Sequence, residues 1–253
     1  MTMDTMFLEV LWNRLVSIVD EQAAALMQAS FTTVVREAGD LSAGVFDTQG
    51  RMLAQAVTGT PGHINTMANC VQELVRTWPI ERLKPGDSLV TNDPWLCAGH
   101  LHDIIVITPV FYSGKGVGFF ANTCHAMDIG GRTLGADAHE VFEEGLHLPV
   151  LKLFREFQIN QDLIDIVRAN VRVPDQVVGD LYAQQTANDV GASKLIEMLQ
   201  EFHLDDLSEL SEMILNRSES AMRDAIGNIP SGVYEDEVVI DGFDDPLKIH
   251  VKI

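Results

Sequence analysis

The sequence predicts an α+β fold in which a mixed, mainly antiparallel sheet is flanked by helices and a long helix opens the chain. Apolar residues recur at three- and four-residue spacings at the start of the chain and again in its later part, which is the helical period. Short apolar or alternating segments bounded by turn residues occupy the middle and the end, which is typical of strands. The middle strands follow one another through short turns, and this favours antiparallel pairing.

The first predicted helix covers residues 5–38, where apolar residues such as Leu8, Leu11 and Leu15 keep the helical spacing and no glycine occurs before Gly39. This segment is either one long helix or two helices with a bend. The next two segments, LSAGVF and MLAQAV, surround the polar turn DTQGR and predict a hairpin. A second helix is predicted at about residues 64–79, before the turn sequence ERLKPGD.

Three strands are predicted from residue 88 onward: SLVTND, DIIVITPVFY and VGFFANTCHAMD. The turn SGKG joins the last two into an antiparallel hairpin. Helices are then predicted in QDLIDIVRANV, from Asp180 to His203 and from Asp206 to Ile226. The chain closes with VYEDEVVIDG and LKIHVKI, which alternate like half-buried strands; we expect them to begin a longer sheet that is cut at Ile253.

Composition restricts the class of protein. The chain has 253 residues with 46% hydrophobic content, which is enough for one large domain or two modest ones. Its net charge of -20 opposes binding to nucleic acid and to anionic membrane surfaces. The apolar run at 104–110 is too short to span a bilayer and no basic leader precedes the first helix, so a cytoplasmic location is expected. Cys70, Cys97 and Cys124 form no CxxC motif and are expected to be reduced thiols.

A cluster of possible metal ligands lies at the ends of the two hairpin strands. Asp103 begins the first strand and His125 finishes the second, so antiparallel pairing brings them within a few ångströms of each other. His100 and His102 precede Asp103, and either can join it only if GHLH forms a loop, which Gly99 permits. Two imidazoles and a carboxylate suit a divalent cation such as Zn or Mn, with positions left open for water or substrate.

Other polar groups carry weaker signals. The glycine pair at 130–131 is most simply a turn. His63 precedes a predicted helix, where it either caps the helix or lines a pocket, and the acidic pair at 143–144 is typical of a solvated surface. Arg172 and Asp180 favour a structural ion pair over a site for a substrate carboxylate or phosphate. The sequence contains no nucleophile elbow, Walker A motif or dinucleotide fingerprint.

Six collinear motifs resemble the B-type subunits of the ATP-dependent hydantoinase and oxoprolinase family, which also includes the large subunits of acetone and acetophenone carboxylases. The motifs are REAGDLSAGVFDTQGRMLAQ (36–55), PGHINTM (61–67), GDSLVTNDPWLCAGHLHDIIVITPVF (86–111), HAMDIGG (125–131), EEGLHLPVLKL (143–153) and NVRVPDQVVGDLYAQ (170–184). Because B-type subunits are about twice as long, the resemblance implies an N-terminal portion: a metal-site α+β region at about 1–160, a helical region at about 161–230 and the start of a further sheet at 231–253.

The resemblance also implies a function. The metal site of the carboxylase relatives follows an H-x-x-D pattern with a second histidine about two dozen residues later, and this pattern falls on His100, Asp103 and His125. Asp128 is then a candidate to orient His125, and His63 and Glu144 are candidate pocket residues.

We therefore expect a subunit of a hetero-oligomer that opens a cyclic amide, such as a hydantoin, 5-oxoproline or a lactam. The small-molecule substrate would first be activated by an A-type partner subunit, an ATPase that uses ATP. The alternatives are a subunit of an acetone- or acetophenone-type carboxylase and a non-catalytic fragment of the family.

Overall fold

The computed structural model describes residues 5–132, 135, 138–242 and 245–253. Within these residues, the central feature is a seven-stranded antiparallel sheet with the order β2-β1-β5-β4-β3-β6-β7. Its strands are β1 (Leu41–Phe46), β2 (Met52–Gln55), β3 (Ser88–Thr91), β4 (Asp103–Tyr112), β5 (Lys115–His125), β6 (Leu151–Arg155) and β7 (Gln158–Ile159).

Helices precede, interrupt and follow this sheet along the chain. They are α1 (Thr5–Ala29), α2 (Thr33–Arg36), α3 (Pro61–Thr77), α4 (Val141–Glu144), α5 (Gln161–Asn170), α6 (Pro174–Glu201) and α7 (Ser208–Gly227). The predicted α+β class with a long opening helix is confirmed. Of the two alternatives for residues 5–38, the bent one is correct, because α1 ends at Ala29 and α2 is a separate turn. No helix in the described part of the chain is long and apolar enough to cross a membrane.

The central strand β4 is buried on both of its faces, which explains why its sequence is a nearly continuous apolar run. Ile105 and Ile107 lie in a core cluster with the apolar side of α3. Ile104 and Val106 point the other way and lie in a second cluster with residues of α5 and α6. The sheet is therefore the middle layer, with α3 on one face and α5 and α6 on the other.

A group of buried amide side chains fastens α1 and α6 to the second face of the sheet. The amide of Asn188 donates to the carbonyl of Val106 and accepts from Gln22 and Asn122. Gln184, one turn earlier on α6, donates to the carbonyl of Ile104 at 2.8 Å. Since buried amides are stable only when hydrogen-bonded, these contacts fix the position of both long helices on β4 and β5.

The hairpin β4–β5 has the predicted pairing, with Asp103 opposite His125 and Ile104 opposite Cys124. A bulge between Val110 and Phe111 lies at the turn end of the hairpin, far from this pair. The two polar residues therefore lie at the same end of the two central strands, rather than on an edge strand of the sheet.

The chain divides into two compact units, of which the first ends at Ile214 and the second covers Leu215–Ile253. The second unit contains the end of α7 and the antiparallel pair β8 (Glu235–Ile240) and β9 (Leu247–Lys252). These last strands occur where the sequence predicts them, but every residue in both is exposed, so the prediction of half-buried strands is wrong. Apolar and charged residues alternate along β8 and β9, so the pair has an apolar face and a charged face. This pattern in the sequence does not show whether other residues pack on either face.

The sequence prediction missed three elements and placed the starts of α3 and α6 too late; α6 begins at Pro174 rather than at Asp180. The short strands β6 and β7 and the single turn α4 lie in a stretch with no strong period. Helix α3 begins at Pro61 rather than at about residue 64, since proline is favoured in the first turn of a helix, where its missing N–H costs nothing. His63 is consequently inside the first turn of α3 and not in the loop that precedes it.

Candidate metal centre

The loop from β3 to β4 brings His100 to the ends of the central strands. Asn92 holds this loop, because its side-chain amide donates to the carbonyls of Leu101 and Leu146 and its oxygen accepts from the N–H of Leu148. Gly99 has φ +94°, a conformation that glycine adopts without strain. GHLH is therefore a loop, as convergence of the site requires, and not an extension of β4.

Asp103 is the centre of the site and contacts three histidines. Its Oδ2 lies 2.8 Å from Nε2 of His100 and 2.9 Å from Nε2 of His63. Its Oδ1 lies 3.1 Å from Nδ1 of His125. One ligand atom from each of His100, Asp103 and His125 lies within 4.8 Å of the other two, which is compact enough for a single cation.

These contacts determine the charge state of the centre. Burial opposes ionisation of Asp103, but the hydrogen bonds from His100, His125 and His63 outweigh it and hold the pKa of this carboxyl well below its usual range. The hydrogen bond to Asp103 raises the pKa of His100. The centre thus contains a permanent anionic oxygen, which a cation requires.

His100 is the member of this set that reaches solvent. Its side chain is 34% exposed, whereas those of Asp103 and His125 are 2% and 7% exposed. A small molecule would approach from the side of His100, because the other ligand positions are covered by the protein.

His102 belongs to the same cluster of rings but is not part of the compact ligand set. Its ring lies parallel to that of His125, with centroids 5.2 Å apart. Burial and the neighbouring imidazoles of His125 and His100 lower the pKa of His102, so it is neutral at pH 7. Its backbone carbonyl accepts from the N–H of Ala126 at 2.7 Å, which ties the loop to the end of β5. His102 therefore forms part of the wall of the site.

The structure adds Asp40, which the sequence analysis did not single out. Its carboxylate lies 3.9 Å from Nδ1 of His125 and 3.7 Å from Nε2 of His63, and it accepts from the hydroxyl of Thr60. Asp40 directly precedes β1, which pairs with β5, so the sheet places it beside His125. Aspartates are common in turns before strands, so the sequence around Asp40 does not indicate a site. Only the pairing of β1 with β5 shows that Asp40 lies beside His125.

His63 reaches the centre from the first turn of α3. Asp103 is ionised and can only accept hydrogen bonds, so Nε2 of His63 carries the hydrogen in their contact. The other ring nitrogen, Nδ1, is buried and has no hydrogen-bond partner among the described residues. The sequence allowed two roles for His63, a helix cap or a pocket residue. Its side chain lies in the site and does not cap α3.

Glu144 and Asp128 hold loops around the centre. Glu144 accepts a hydrogen bond at 2.7 Å from the N–H of Leu101, between the two loop histidines, so it is more than the solvated surface residue that the sequence favoured. Asp128 accepts from the N–H groups of Gly130, Arg172 and Val173 and from the guanidinium of Arg172. Although burial acts in the opposite direction, these bonds lower its pKa. Among the described residues, its partners are therefore Gly130 in its own loop and the segment before α6, and not His125.

The expected pairing of Arg172 with Asp180 is wrong. Arg172 pairs with Asp128 and also donates to the carbonyl of Gly131. Asp180 instead accepts from the N–H groups of Phe31 and Thr32 and from the hydroxyl of Thr32, joining α6 to the segment between α1 and α2. Arg172 and Asp180 are close in the sequence, but each bonds to residues that are distant in the sequence. Their proximity in the chain therefore suggested the wrong pair.

The donor atoms fit a divalent cation. Two imidazole nitrogens and one carboxylate oxygen are a set that Zn and Mn accept, and three protein ligands leave further positions open. Asp40 lies outside this set, with its carboxylate 3.9 Å from Nδ1 of His125. A site of this composition can polarise an oxygen of a bound substrate.

Comparison with known proteins assigns the family. The sequence matches the family described as hydantoinase B/oxoprolinase over residues 4–253. The chain belongs to the hydantoinase B/oxoprolinase family. The resemblance seen in the six sequence motifs is therefore confirmed.

Three relatives show how much of the family chain is present. A putative B-type subunit of a D-/L-hydantoinase from Pseudomonas sp. (strain NS671) is 32% identical over 260 residues, covering 99% of this chain and 44% of that protein. The crystal structure of the ATP-dependent caprolactamase from Pseudomonas jessenii has a TM-score of 0.84 at 28% identity, covering 95% of this chain and 42% of that one. Nucleotide-free acetone carboxylase shares the fold, with a TM-score of 0.86 at 17% identity over 98% of this chain and 35% of that one. This hydantoinase B family chain spans less than half the length of these relatives.

Proposed function

We propose that this chain is the metal-dependent part of an ATP-dependent enzyme that hydrolyses a cyclic amide such as a hydantoin, 5-oxoproline or a lactam. The observation that carries the proposal is the convergence of His100, Asp103 and His125 at the ends of β4 and β5 in a chain of the hydantoinase B family. The similarity to a hydantoinase and to an ATP-dependent caprolactamase favours this substrate class.

His100, Asp103 and His125 would hold a divalent cation, Zn or Mn, and Asp40 lies close enough to support it. When bound, such a cation supplies Lewis acidity toward a carbonyl-derived oxygen or a water molecule. Asp103 contributes the anionic oxygen, and its contacts with three histidines hold the ligand set in place. His63 keeps Asp103 in position through Nε2, and its Nδ1 is buried with no hydrogen-bond partner among the described residues.

The protein residues around the centre position the histidines. Glu144 and Asn92 hold the loop that carries His100 from its two sides. The neutral ring of His102 covers one face of His125. Asp128 and Arg172 brace the loop after β5, one step farther from the ligand set. The substrate would enter beside His100, where the centre reaches solvent.

The proposed partner is an A-type subunit that uses ATP to activate the amide oxygen. Two relatives support it: one is described as the B-type member of a hydantoinase, and the other is described as ATP-dependent. ATP use is assigned to the partner because the family resemblance implies an ATPase in the A-type subunit.

The test is reconstitution with an A-type subunit, followed by measurement of ATP hydrolysis and of the ring-opened product. Cyclic amides should stimulate both, whereas a ketone with bicarbonate should stimulate neither. Stimulation by ketone and bicarbonate alone would support the carboxylase alternative. Absence of turnover with every A-type partner, while the chain remains folded and metal-loaded, would support the non-catalytic alternative. An Asp103→Asn variant should lose turnover, and His203→Ala, outside the site, serves as the matched control.

A further inference from the structure

Two cysteines touch each other behind the site. Cys70 lies on α3 and Cys97 lies in the loop between β3 and β4, and their Sγ atoms are 3.1 Å apart. Both are free thiols and both belong to the core cluster on the α3 side of the sheet. Cys70 is fully buried, whereas Cys97 retains 7% exposure.

The contact joins the two segments that bring histidines to Asp103. Helix α3 carries His63 in its first turn, and the loop that contains Cys97 carries His100 three residues later. A covalent bond between the sulfurs would therefore link these two segments directly. Disulfide sulfurs are about 2.05 Å apart, so closure from 3.1 Å requires an approach of about 1 Å. Such a shift is within reach of side-chain adjustment.

A simpler interpretation is that the two thiols only fill space as small apolar groups. The contact between the two sulfurs favours a redox role over simple packing, because oxidation to a disulfide needs a second thiol within reach. Most buried cysteines have no such neighbour. Cys124, the third cysteine, is buried on β5 opposite Ile104 and contacts neither sulfur in the interactions described here. It provides an internal comparison.

We propose that Cys70 and Cys97 form an oxidisable pair that closes to a disulfide in the presence of a peroxide and so restrains the His100 loop. Peroxide first transfers one oxygen to the sulfur of Cys97, which becomes a sulfenic acid while one water is released. The sulfur of Cys70 then attacks that sulfur, the S–S bond forms, the S–O bond breaks, and the leaving hydroxide takes the proton of Cys70 as a second water. The two cysteines lose two electrons in total, and the peroxide is reduced by two.

The environment predicts the relative rates of the two steps. The contact with Cys70, together with burial, raises the pKa of the Cys97 thiol, so little thiolate is present at neutral pH. The first step should therefore be slower than oxidation of an exposed thiol. The second step should be fast, because the attacking sulfur is already in contact, and little sulfenic acid should accumulate.

The experiment treats the full folded chain with hydrogen peroxide, quenches it, denatures it, alkylates free thiols and identifies the linked peptides by mass spectrometry. The expected product is one peptide pair joined through Cys70 and Cys97, lighter by two hydrogen atoms, with Cys124 alkylated; dithiothreitol should reverse it. Cys124→Ser should leave the link unchanged. Cys70→Ser should abolish it and leave a sulfenic acid on Cys97 that dimedone traps.

Hydrogen exchange on the oxidised and reduced wild-type chains measures the restraint itself. Amides of residues 93–102 should exchange several-fold more slowly in the oxidised chain, while those of β8 and β9 should not change. Three alkylated thiols after treatment, or over-oxidation of Cys97 with Cys70 still reduced, would overturn the pairing. A link that leaves loop exchange unchanged would overturn the restraint. Neither readout depends on bound metal or on turnover, so this proposal stands or fails separately from the proposed function.

Discussion

Asp103 organises the candidate site because one carboxylate contacts three imidazoles, each delivered by a different part of the chain. His100 comes from a loop, His125 from the paired strand and His63 from a helix. Removing its charge would leave the buried imidazoles without a common acceptor. The ligand set therefore depends on a single residue more than on any single histidine.

The proposed ligand His125 should differ from its neighbour His102 in its effect on metal binding. A His125→Ala variant purified with Zn or Mn present should lose the one metal ion per chain that we expect in the wild type, because one of three ligands is removed. His102→Ala should keep the metal, since its ring stacks on His125 without joining the ligand set. Elemental analysis of both proteins measures the result. Retention of metal by His125→Ala together with its loss in His102→Ala would reverse the assignment.

Gly99 and Gly130 have nearly the same backbone conformation but different surroundings. Gly130 has φ +96° and Gly99 has φ +94°, so alanine should cost about 1–2 kcal/mol at either position. At Gly130 an added Cβ would lie 2.1 Å from the carbonyl oxygen of Asn170, whereas nothing lies within 4 Å of one at Gly99. Gly130→Ala should therefore lose about 1–3 kcal/mol more, from overpacking.

Urea unfolding of the two glycine variants measures this difference in the free energy of unfolding. Because the φ penalty is common to both, the difference isolates the contact with Asn170. Equal losses would mean that the end of α5 at Asn170 does not press on Gly130.

At the scale of elements, Asp87 fastens the start of β3 to the turn between β6 and β7. Its fully buried carboxylate accepts from the N–H groups of Lys84 and Glu156 and pairs with the ammonium of Lys152. Burial raises the pKa of Asp87, but the bonds from Lys152, Lys84 and Glu156 outweigh this and lower it overall. The sequences of β6 and β7 predict strands only weakly. The bonds that Asp87 accepts from Lys152 and Glu156 fix where these strands lie against β3.

Replacing Asp87 by Asn should destabilise the fold at pH 7 by about 1–3 kcal/mol, the usual cost of losing hydrogen bonds to a charged group. The sign of the pH dependence follows from the lowered pKa. The stabilisation is complete above the unfolded carboxyl pKa of about 3.9 and is lost as pH falls through the lower folded value. Urea unfolding at pH 7 and near pH 3 should show the gap between wild type and variant shrinking in acid. A gap that is constant with pH would contradict a role for the charge.

At the scale of the whole molecule, the two core clusters described above lie within the unit that ends at Ile214. In the second unit, Val238, Ile240, Leu247, Ile249 and Val251 share one exposed face of the β8–β9 pair. A two-stranded pair of this kind adds little stability by itself. The stability of the chain should therefore come from the first unit.

A chain ending at Gly227 should test this distribution. It keeps Leu210 and Ile214, which are buried, and removes β8 and β9, which are exposed. We expect a cooperative thermal transition with the same midpoint as the full chain, measured by circular dichroism. A large drop in the midpoint would show that the exposed hairpin contributes to the folded core.

The sequence by itself determined the strands other than β6 and β7, the long helices and the register of β4 against β5, and therefore the meeting of Asp103 with His125. These features follow from local periods of two and 3.6 residues and from one tight turn, so neighbouring residues contain the information. The family motifs favoured His100 over His102 as a metal ligand. The compact ligand set likewise contains His100 and not His102.

Only the tertiary structure decided the position of His63, Asp40 and Glu144 around this centre, the pairing of Arg172 with Asp128, and the contact between Cys70 and Cys97. Each of these contacts joins elements distant in the chain, and its geometry depends on strand order and helix placement. No local pattern encodes such a contact, because each side chain alone has a common role in a cap, a turn or the core. The physical reason is that non-local packing, rather than periodicity, brings these groups together.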